Sequence, residues 1–348
     1  MTTLRWGVLS TANIGKKAVI PAILKSDNGR LVAIASRNAE RAQAFAAPID
    51  QAQGGAPIQV YASYEALLAD PDVDAIYNPL PNSMHKEWSI RAMQAGKHVL
   101  CEKPLGSNLA EVDEMIAVAE STGRLLMEAF MYRFHPRTQD ALARLVFGEI
   151  GALQTIRSAF TFPLTGNSNI RLNADLAGGS LMDVGCYCVN IIRTALASLD
   201  VGEPVAVAAF ADFGEETGVE ESLSAILRFE FSDGVAGPIT AHFDSSLRTD
   251  GRQFFEFAGS SGTLRVDDAF NAGRFDNLRL QVVKSGKIVT DERYDGIDQY
   301  QLMVEAFADA ALHGIPLAYP MQESRGNMAV IDALLHSART GQVVPVRL

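Results

Sequence analysis

Glu102-Lys103-Pro104 ends a short apolar run, Val99-Leu100-Cys101, about a hundred residues into the chain. In an open parallel sheet, ligands bind at the carboxyl ends of the strands. A lysine in that place is a candidate for chemistry, and the proline after it restricts its backbone and permits a cis bond. Near the start, Gly7-Val8-Leu9-Ser10-Thr11-Ala12-Asn13-Ile14-Gly15 stands between a strand and a helix. The G-x-G-x-x-G fingerprint falls on Ser10, Ala12 and Gly15, with small residues in place of two glycines. Backbone N–H groups from Ser10 through Thr11, Ala12 and Asn13 to Ile14 could then approach a pyrophosphate. A plain strand–turn–helix is the competing reading. The second strand ends in Ser36-Arg37, with Arg41 one turn on. An acidic residue here would suit NAD. The arginine pair accommodates a 2′-phosphate and predicts NADP, with NAD disfavoured. Arg37 could also stack on an adenine. Solvated helix-start residues are the alternative.

Around these residues the chain alternates strand and helix patterns. Strands are expected at 4–9, 31–35, 60–61, 74–78, 97–101 and 125–129. Helices are expected at 14–25, 39–46, 63–68 (capped by Ser63), 83–95 and 109–122 (capped by Asn108). That βαβα order predicts a doubly wound parallel sheet, an α/β Rossmann domain over 1–128. After about residue 130 strand-like segments recur at 154–160, 205–210, 223–231, 235–243, 254–258, 263–266 and 278–283. Tight-turn residues Ser232-Asp233-Gly234, Ser260-Ser261-Gly262 and Ser285-Gly286 join several of them. Residues 129–348 are therefore expected to form an α+β domain with a large, mainly antiparallel open sheet. Helices at 299–313 and 322–340 close the chain, the second as the element that returns to the first domain.

The 348 residues, 48% hydrophobic and 20% charged, fit a globular protein of two domains. A net charge of −11 without basic runs argues against nucleic acid and anionic membranes as partners. No apolar stretch suits a bilayer span, and the N-terminus has no signal-peptide layout. Three cysteines without a CxxC pair read as reduced thiols and a cytoplasmic location, with Cys101 a buried strand-end thiol. No His/Asp/Glu cluster has metal-ligand spacing, so no metal is expected.

With Glu102-Lys103-Pro104 in place, the chain resembles the Gfo/Idh/MocA oxidoreductases. Pro79-Leu80-Pro81-Asn82-Ser83-Met84-His85 is similar to the family's loop after the fourth strand, and 96–104 to its fifth strand and catalytic tripeptide. Residues 128–136 resemble the domain crossover, and Gly178-Gly179-Ser180-Leu181-Met182-Asp183-Val184-Gly185-Cys186-Tyr187 the second active-site segment. Inositol dehydrogenase-like members carry Asp-x-x-x-His where this chain has Asp183 and Tyr187. The tyrosine form resembles the branch of D-xylose dehydrogenase, dihydrodiol dehydrogenase and glucose–fructose oxidoreductase.

The resemblance implies hydride transfer between a nicotinamide and a sugar or vicinal diol. Tyr187 would exchange the hydroxyl proton, and Lys103 would favour the phenolate and hydrogen-bond the substrate oxygen. Asp183 would orient Tyr187 or bind a substrate hydroxyl, with a helix cap as the alternative. Pro79, Leu80, Asn82, His85 and Glu102 would lie along the cofactor, a structural salt bridge being the other reading of Glu102 and a helix-start histidine with no ligand role that of His85. Arg133, Arg171 and Tyr300 are candidate pocket residues. A keto-sugar reductase, a sugar–sugar oxidoreductase with tightly held cofactor and a non-enzymatic NADP-binding regulator are the alternatives. The resemblance also implies a homodimer or homotetramer built through the C-terminal sheet.

Overall fold

The computed structural model describes residues 2–53, 57–166, 169–231, 237–271 and 277–348. The chain separates into two compact units. One comprises Met1–Phe130 with Asp298–Ser324, the other Met131–Ile297 with Arg325–Leu348.

In the first unit, parallel strands β1 (Leu4–Leu9), β2 (Gly29–Ala35), β3 (Gln59–Tyr61), β4 (Ala75–Asn78), β5 (His98–Cys101) and β6 (Leu126–Glu128) lie in the order β3-β2-β1-β4-β5-β6. Runs such as Ala33-Ile34-Ala35 and Val99-Leu100-Cys101 are wholly buried, as a sheet covered on both faces requires. Connecting helices are α1 (Ile20–Lys25), α2 (Ala39–Gln53), α3 (Tyr64–Leu68), α4 (His85–Gln94) and α5 (Leu109–Thr122). Ser63 accepts from the Ala66 N–H and Asn108 from the Glu111 N–H, so both expected caps form. Helix α2 runs past 46 and carries Pro48 inside it. Chain order turns back between β1 and β4, so the carboxyl ends of these strands frame the crevice where ligands bind in such sheets.

The second unit holds α6 (Pro136–Val146), α7 (Cys186–Ala197) and strands β7 (Leu153–Thr161), β8 (Ala206–Phe213), β9 (Glu220–Phe229), β10 (Ile239–Ser246), β11 (Arg252–Gly259), β12 (Thr263–Asp267), β13 (Arg279–Lys284), β14 (Lys287–Arg293) and β15 (Val344–Pro345). Their order is β14-β13-β12-β11-β7-β10-β9-β8-β15. All neighbours are antiparallel except β7 and β10. Burial alternates along β9, from Leu223, Ala225 and Leu227 to the exposed Ser224, Ile226 and Arg228, so one face is packed and the other open. Ser260-Ser261-Gly262 joins β11 to β12 and Ser285-Gly286 joins β13 to β14, whereas the expected turn at Ser232-Asp233-Gly234 lies outside the described residues.

Helix α8 (Gln299–His313) belongs to the first unit, where Trp6 and Phe307 pack at 5.3 Å between ring centroids and Asn28 donates to the Asp309 carboxylate at 2.7 Å. The segment that returns to the parallel-sheet unit is thus Asp298–Ser324, and the final helix, α9 (Met321–Thr340), crosses the division after Ser324. Among the described residues no helix is long and apolar enough to cross a membrane.

Candidate active site

Strand β1 ends at Leu9, and Ser10 takes a left-handed backbone (φ 69°) where the fingerprint has its first glycine. Its N–H donates to the Ala35 carbonyl at 2.8 Å, while its buried hydroxyl has no hydrogen-bond partner among the described residues. The helix starts at Asn13, and a π-helical turn, Gly15–Val19, opens without a side-chain cap. A strained residue, an orphaned hydroxyl and a helix start without a side-chain cap together fit a dinucleotide phosphate. Gly15 packs on the Tyr77 ring, where a methyl group would be 3.6 Å away.

At the end of β2, Ser36 is buried and its Oγ accepts from the Asn38 N–H at 3.3 Å. Asn38 Oδ1 accepts from the Arg41 N–H at 2.7 Å and so starts α2. Arg37 and Arg41 are exposed, and among the described residues neither has a carboxylate at ion-pair distance. Both cations favour the Tyr64 phenolate, but burial outweighs them and pushes that phenol up.

The loops after β4 and β5 are tied together. His85 is fully buried, with Nδ1 2.8 Å from the Pro104 carbonyl and Nε2 2.8 Å from the Leu80 carbonyl. Burial pushes its pKa down to about 4 against the pull of both carbonyls. The neutral ring has one N–H to donate to these two carbonyls, and its contacts tie the Pro79–Asn82 loop to the Glu102–Leu105 loop. Asn78 supports the same junction, donating to Ser89 Oγ at 3.0 Å and accepting from the Leu80 N–H at 3.3 Å. Pro79 and Leu80 are buried and Asn82 is half-buried.

Glu102 accepts a 2.7 Å bond from the Tyr77 hydroxyl. Lys103 is half-buried, and its peptide bond to Pro104 is cis. Buried Glu128, opposite Cys101 in the β5–β6 register, accepts from the Leu105 N–H at 2.9 Å and pins the far side of that loop. Tyr300, at the start of α8, has its phenol pushed up by burial first and then by the Glu102 charge. Tyr300 therefore stands with the Glu102 loop, in the first unit. Burial pushes the Cys101 thiol up, which makes it inert.

In the second unit, Tyr187 is 5% exposed at the start of α7. Its ring packs against Phe160, Phe270 and Tyr132 at 5.4, 5.5 and 5.8 Å, and its hydroxyl points to Met131 Sδ at 3.5 Å. The Tyr132 hydroxyl donates to Asn190 at 2.5 Å. Asp183 lies in the π-helical turn Leu181–Gly185, and its carboxylate accepts from Arg171 Nε at 2.6 Å. Two expected site residues are thereby brought together. Arg171 also reaches over the Phe162 ring at 5.8 Å. Arg133 is half-buried in the turn Met131–Phe134, its carbonyl accepting from the Gln139 side chain at 3.4 Å. Sequence reasoning passed over Tyr77 and Tyr64, because each is defined by strand register or packing rather than by a local motif. Among the described residues no His, Cys, Asp and Glu group could hold a metal.

Residues 4–130 match the family described as "Oxidoreductase family, NAD-binding Rossmann fold", and residues 138–265 match the "GFO/IDH/MocA C-terminal domain". D-xylose 1-dehydrogenase (NADP(+)) 2 from Haloferax volcanii is 42% identical over 98% of this chain and 99% of its own. The chain belongs to the Gfo/Idh/MocA oxidoreductase family. Two solved members are similar in fold. A 3-ketoreductase from Actinomadura kijaniata, solved with NADP and TDP-benzene, has a TM-score of 0.84 at 30% identity, covering 97% of this chain and 98% of that one. The aldose-aldose oxidoreductase from Caulobacter crescentus, solved with glycerol, has a TM-score of 0.86 at 25% identity, covering 99% of each chain. Members of this family therefore act on sugars in more than one way, and the chain is an oxidoreductase among them.

Proposed function

We propose that the chain is an NADP-dependent dehydrogenase of an aldose such as D-xylose, or of a vicinal diol, with Tyr187 as the acid–base group and Lys103 as its electrostatic partner. The observation that carries this reading is the 42% identity to an NADP-dependent D-xylose dehydrogenase over nearly the whole of both chains. The exposed Arg37 and Arg41 beside Ser36, with no carboxylate partner among the described residues, support the 2′-phosphate of NADP. Backbone from Ser10 to Ile14 would hold the pyrophosphate, and Pro79, Leu80, Asn82 and Glu102 would line the nicotinamide end.

Bound nicotinamide supplies the hydride acceptor in the forward direction. Tyr187 takes the proton of the substrate hydroxyl as the carbon is oxidised, and returns one in reduction. A phenol with its ordinary pKa near 10 is a poor base at neutrality, and an ammonium close to it favours the phenolate. Lys103, fixed by Glu128 and His85 on the loop behind it, supplies that charge and a donor for the substrate oxygen. Asp183, held by Arg171, binds a second hydroxyl and fixes which carbon faces the nicotinamide. Arg133 and Tyr300 contact the sugar. The active form is a homodimer or homotetramer assembled on the open face of the nine-stranded sheet, where Phe210 is 76% and Ile226 49% exposed.

A panel of aldoses, vicinal diols and keto-sugars, followed through the absorbance of the reduced cofactor, tests the reading. NADP reduction with an aldose or diol is expected. Turnover with keto-sugars and NADPH alone would assign the protein to the ketoreductases, and inactivity across the panel would point to a regulator. Cofactor that resists dialysis would favour hydride exchange between two sugars.

A further inference from the structure

The helical run that carries Asp183 and Tyr187 is anchored at its start by a strand that lies far along the chain. Ser180 stands at the N-cap, but no side chain of its own caps the run; its hydroxyl meets Ser245 Oγ on β10 at 3.1 Å. The Leu181 N–H donates instead to Oε1 of Glu220, the first residue of β9, at 2.9 Å. Glu220 is 2% exposed. Burial pushes its carboxyl up to about 7, against the Leu181 N–H, its own backbone N–H and the distant Arg339 cation on α9, all of which favour the charged form.

The paired glycines make room for this contact. A methyl group on Gly179 (φ 120°) would lie 2.2 Å from Oε1 and 2.5 Å from Oε2 of Glu220. One on Gly178 would lie 2.4 Å from the Arg171 carbonyl oxygen. That carbonyl accepts from the Gly179 N–H at 2.7 Å, while the Arg171 guanidinium holds Asp183 at 2.6 Å. On the sheet side Gly185 sits so close that an added methyl group would be 3.0 Å from Ser245 Oγ. The first turn is therefore gripped by Arg171, by Ser245 and by the buried carboxylate. A hydroxyl cap would satisfy the N–H at less cost, since a buried carboxylate is expensive even when hydrogen-bonded. Its charge adds what a hydroxyl cannot, a strong charge-assisted bond and a favourable interaction with the helix dipole.

We propose that Glu220 is a positioning residue for Tyr187: its carboxylate anchors the first turn of the helical run and so sets where Asp183 and the tyrosine hydroxyl stand. This rests on the reading of Tyr187 as the acid–base group. The test is a double-mutant cycle of Glu220→Gln with Tyr187→Phe at pH 8, where the carboxyl is charged, reading kcat and KM for the aldose and NADPH binding by fluorescence titration. Glu220→Gln keeps the shape and one acceptor but removes the charge. Its kcat is expected to fall by about tenfold or more, while KM and the NADPH Kd stay within about threefold. In the Tyr187→Phe background it should change the residual rate by less than about twofold, because its effect passes through the missing hydroxyl. A kcat within twofold of wild type, or an equal loss in both backgrounds, would overturn the proposal. If Glu220→Gln does not fold, Glu220→Asp, which keeps the charge but withdraws it from the Leu181 N–H, should lose kcat in the same Tyr187-dependent way. Near-normal turnover of Tyr187→Phe alone would sink the acid–base reading itself, whereas an inactive Tyr187→Phe beside a fully active Glu220→Gln would refute the positioning role alone.

Discussion

On the proposed function, Arg37 is the residue that selects NADP. It is exposed, so its bond to a 2′-phosphate is worth less than a buried pair, and Arg37→Ala should weaken NADPH by roughly tenfold. NADH binding should hardly change, and equal loss for both cofactors in a fluorescence titration would show that Arg37 serves the adenine or the fold instead. Glu220 carries a pH signature that reaches neutrality. Its folded pKa lies above its unfolded one, so the native state binds the extra proton between about 4.5 and 7. Its contribution to stability is full below that window and is lost as the pH rises through it, by an amount on the order of 3 kcal/mol. Glu220→Gln should therefore melt higher than wild type at pH 8, with the gap closing towards pH 5. A lower melting temperature at pH 8 would mean that the charged cap stabilises the fold outright. The buried His85 and His135, both pushed down to about 4 by burial, act in the opposite sense, their stabilisation being lost as the pH falls from about 6.5.

The element that matters most, α7, was the least legible. Cys186, Tyr187, Cys188, Val189, Asn190, Ile191, Ile192 and Arg193 are all buried, so the helix shows no apolar stripe and no 3.6-residue period to read. Helix α6 had a usable signal in Pro136 at its first turn, with His135 accepting from the Arg137 N–H, and this was passed over. By contrast Ser63 and Asn108 mark helix starts correctly, because a cap is a local requirement. The parallel β7–β10 pair was not foreseeable from strand patterns, which carry no information on partner direction. At this scale Gly179→Ala is the telling variant. It combines a φ of 120° with a methyl placed on the Glu220 carboxylate, and should cost about 2–4 kcal/mol and most of the turnover. A melting temperature equal to wild type would mean that the Gly178–Asp183 turn is looser than its contacts imply.

For the whole molecule, the sequence conveyed a parallel α/β sheet followed by a mainly antiparallel one. It did not convey that Asp298–Ser324 rejoins the first unit, a return set by packing such as Trp6 on Phe307. The candidate site divides the same way. Lys103, Ser10 and Arg37 were legible because each sits at a strand end with a local motif, Tyr187 was legible through family resemblance, and Glu220 through neither. The open face of the larger sheet predicts self-association, and light scattering of the purified protein should give a dimer or tetramer; a monomer would contradict it. Phe210→Asp should shift that equilibrium towards monomer. The central claim is that a phenol–ammonium pair on an NADP-binding fold oxidises a sugar or diol carbon. Its most direct test is a single-turnover measurement of NADP reduction by Tyr187→Phe at saturating aldose, beside NADPH titration of the same sample. The account predicts a rate lowered by about 10²–10⁴ with NADPH affinity within twofold of wild type; a rate within tenfold of wild type would contradict it.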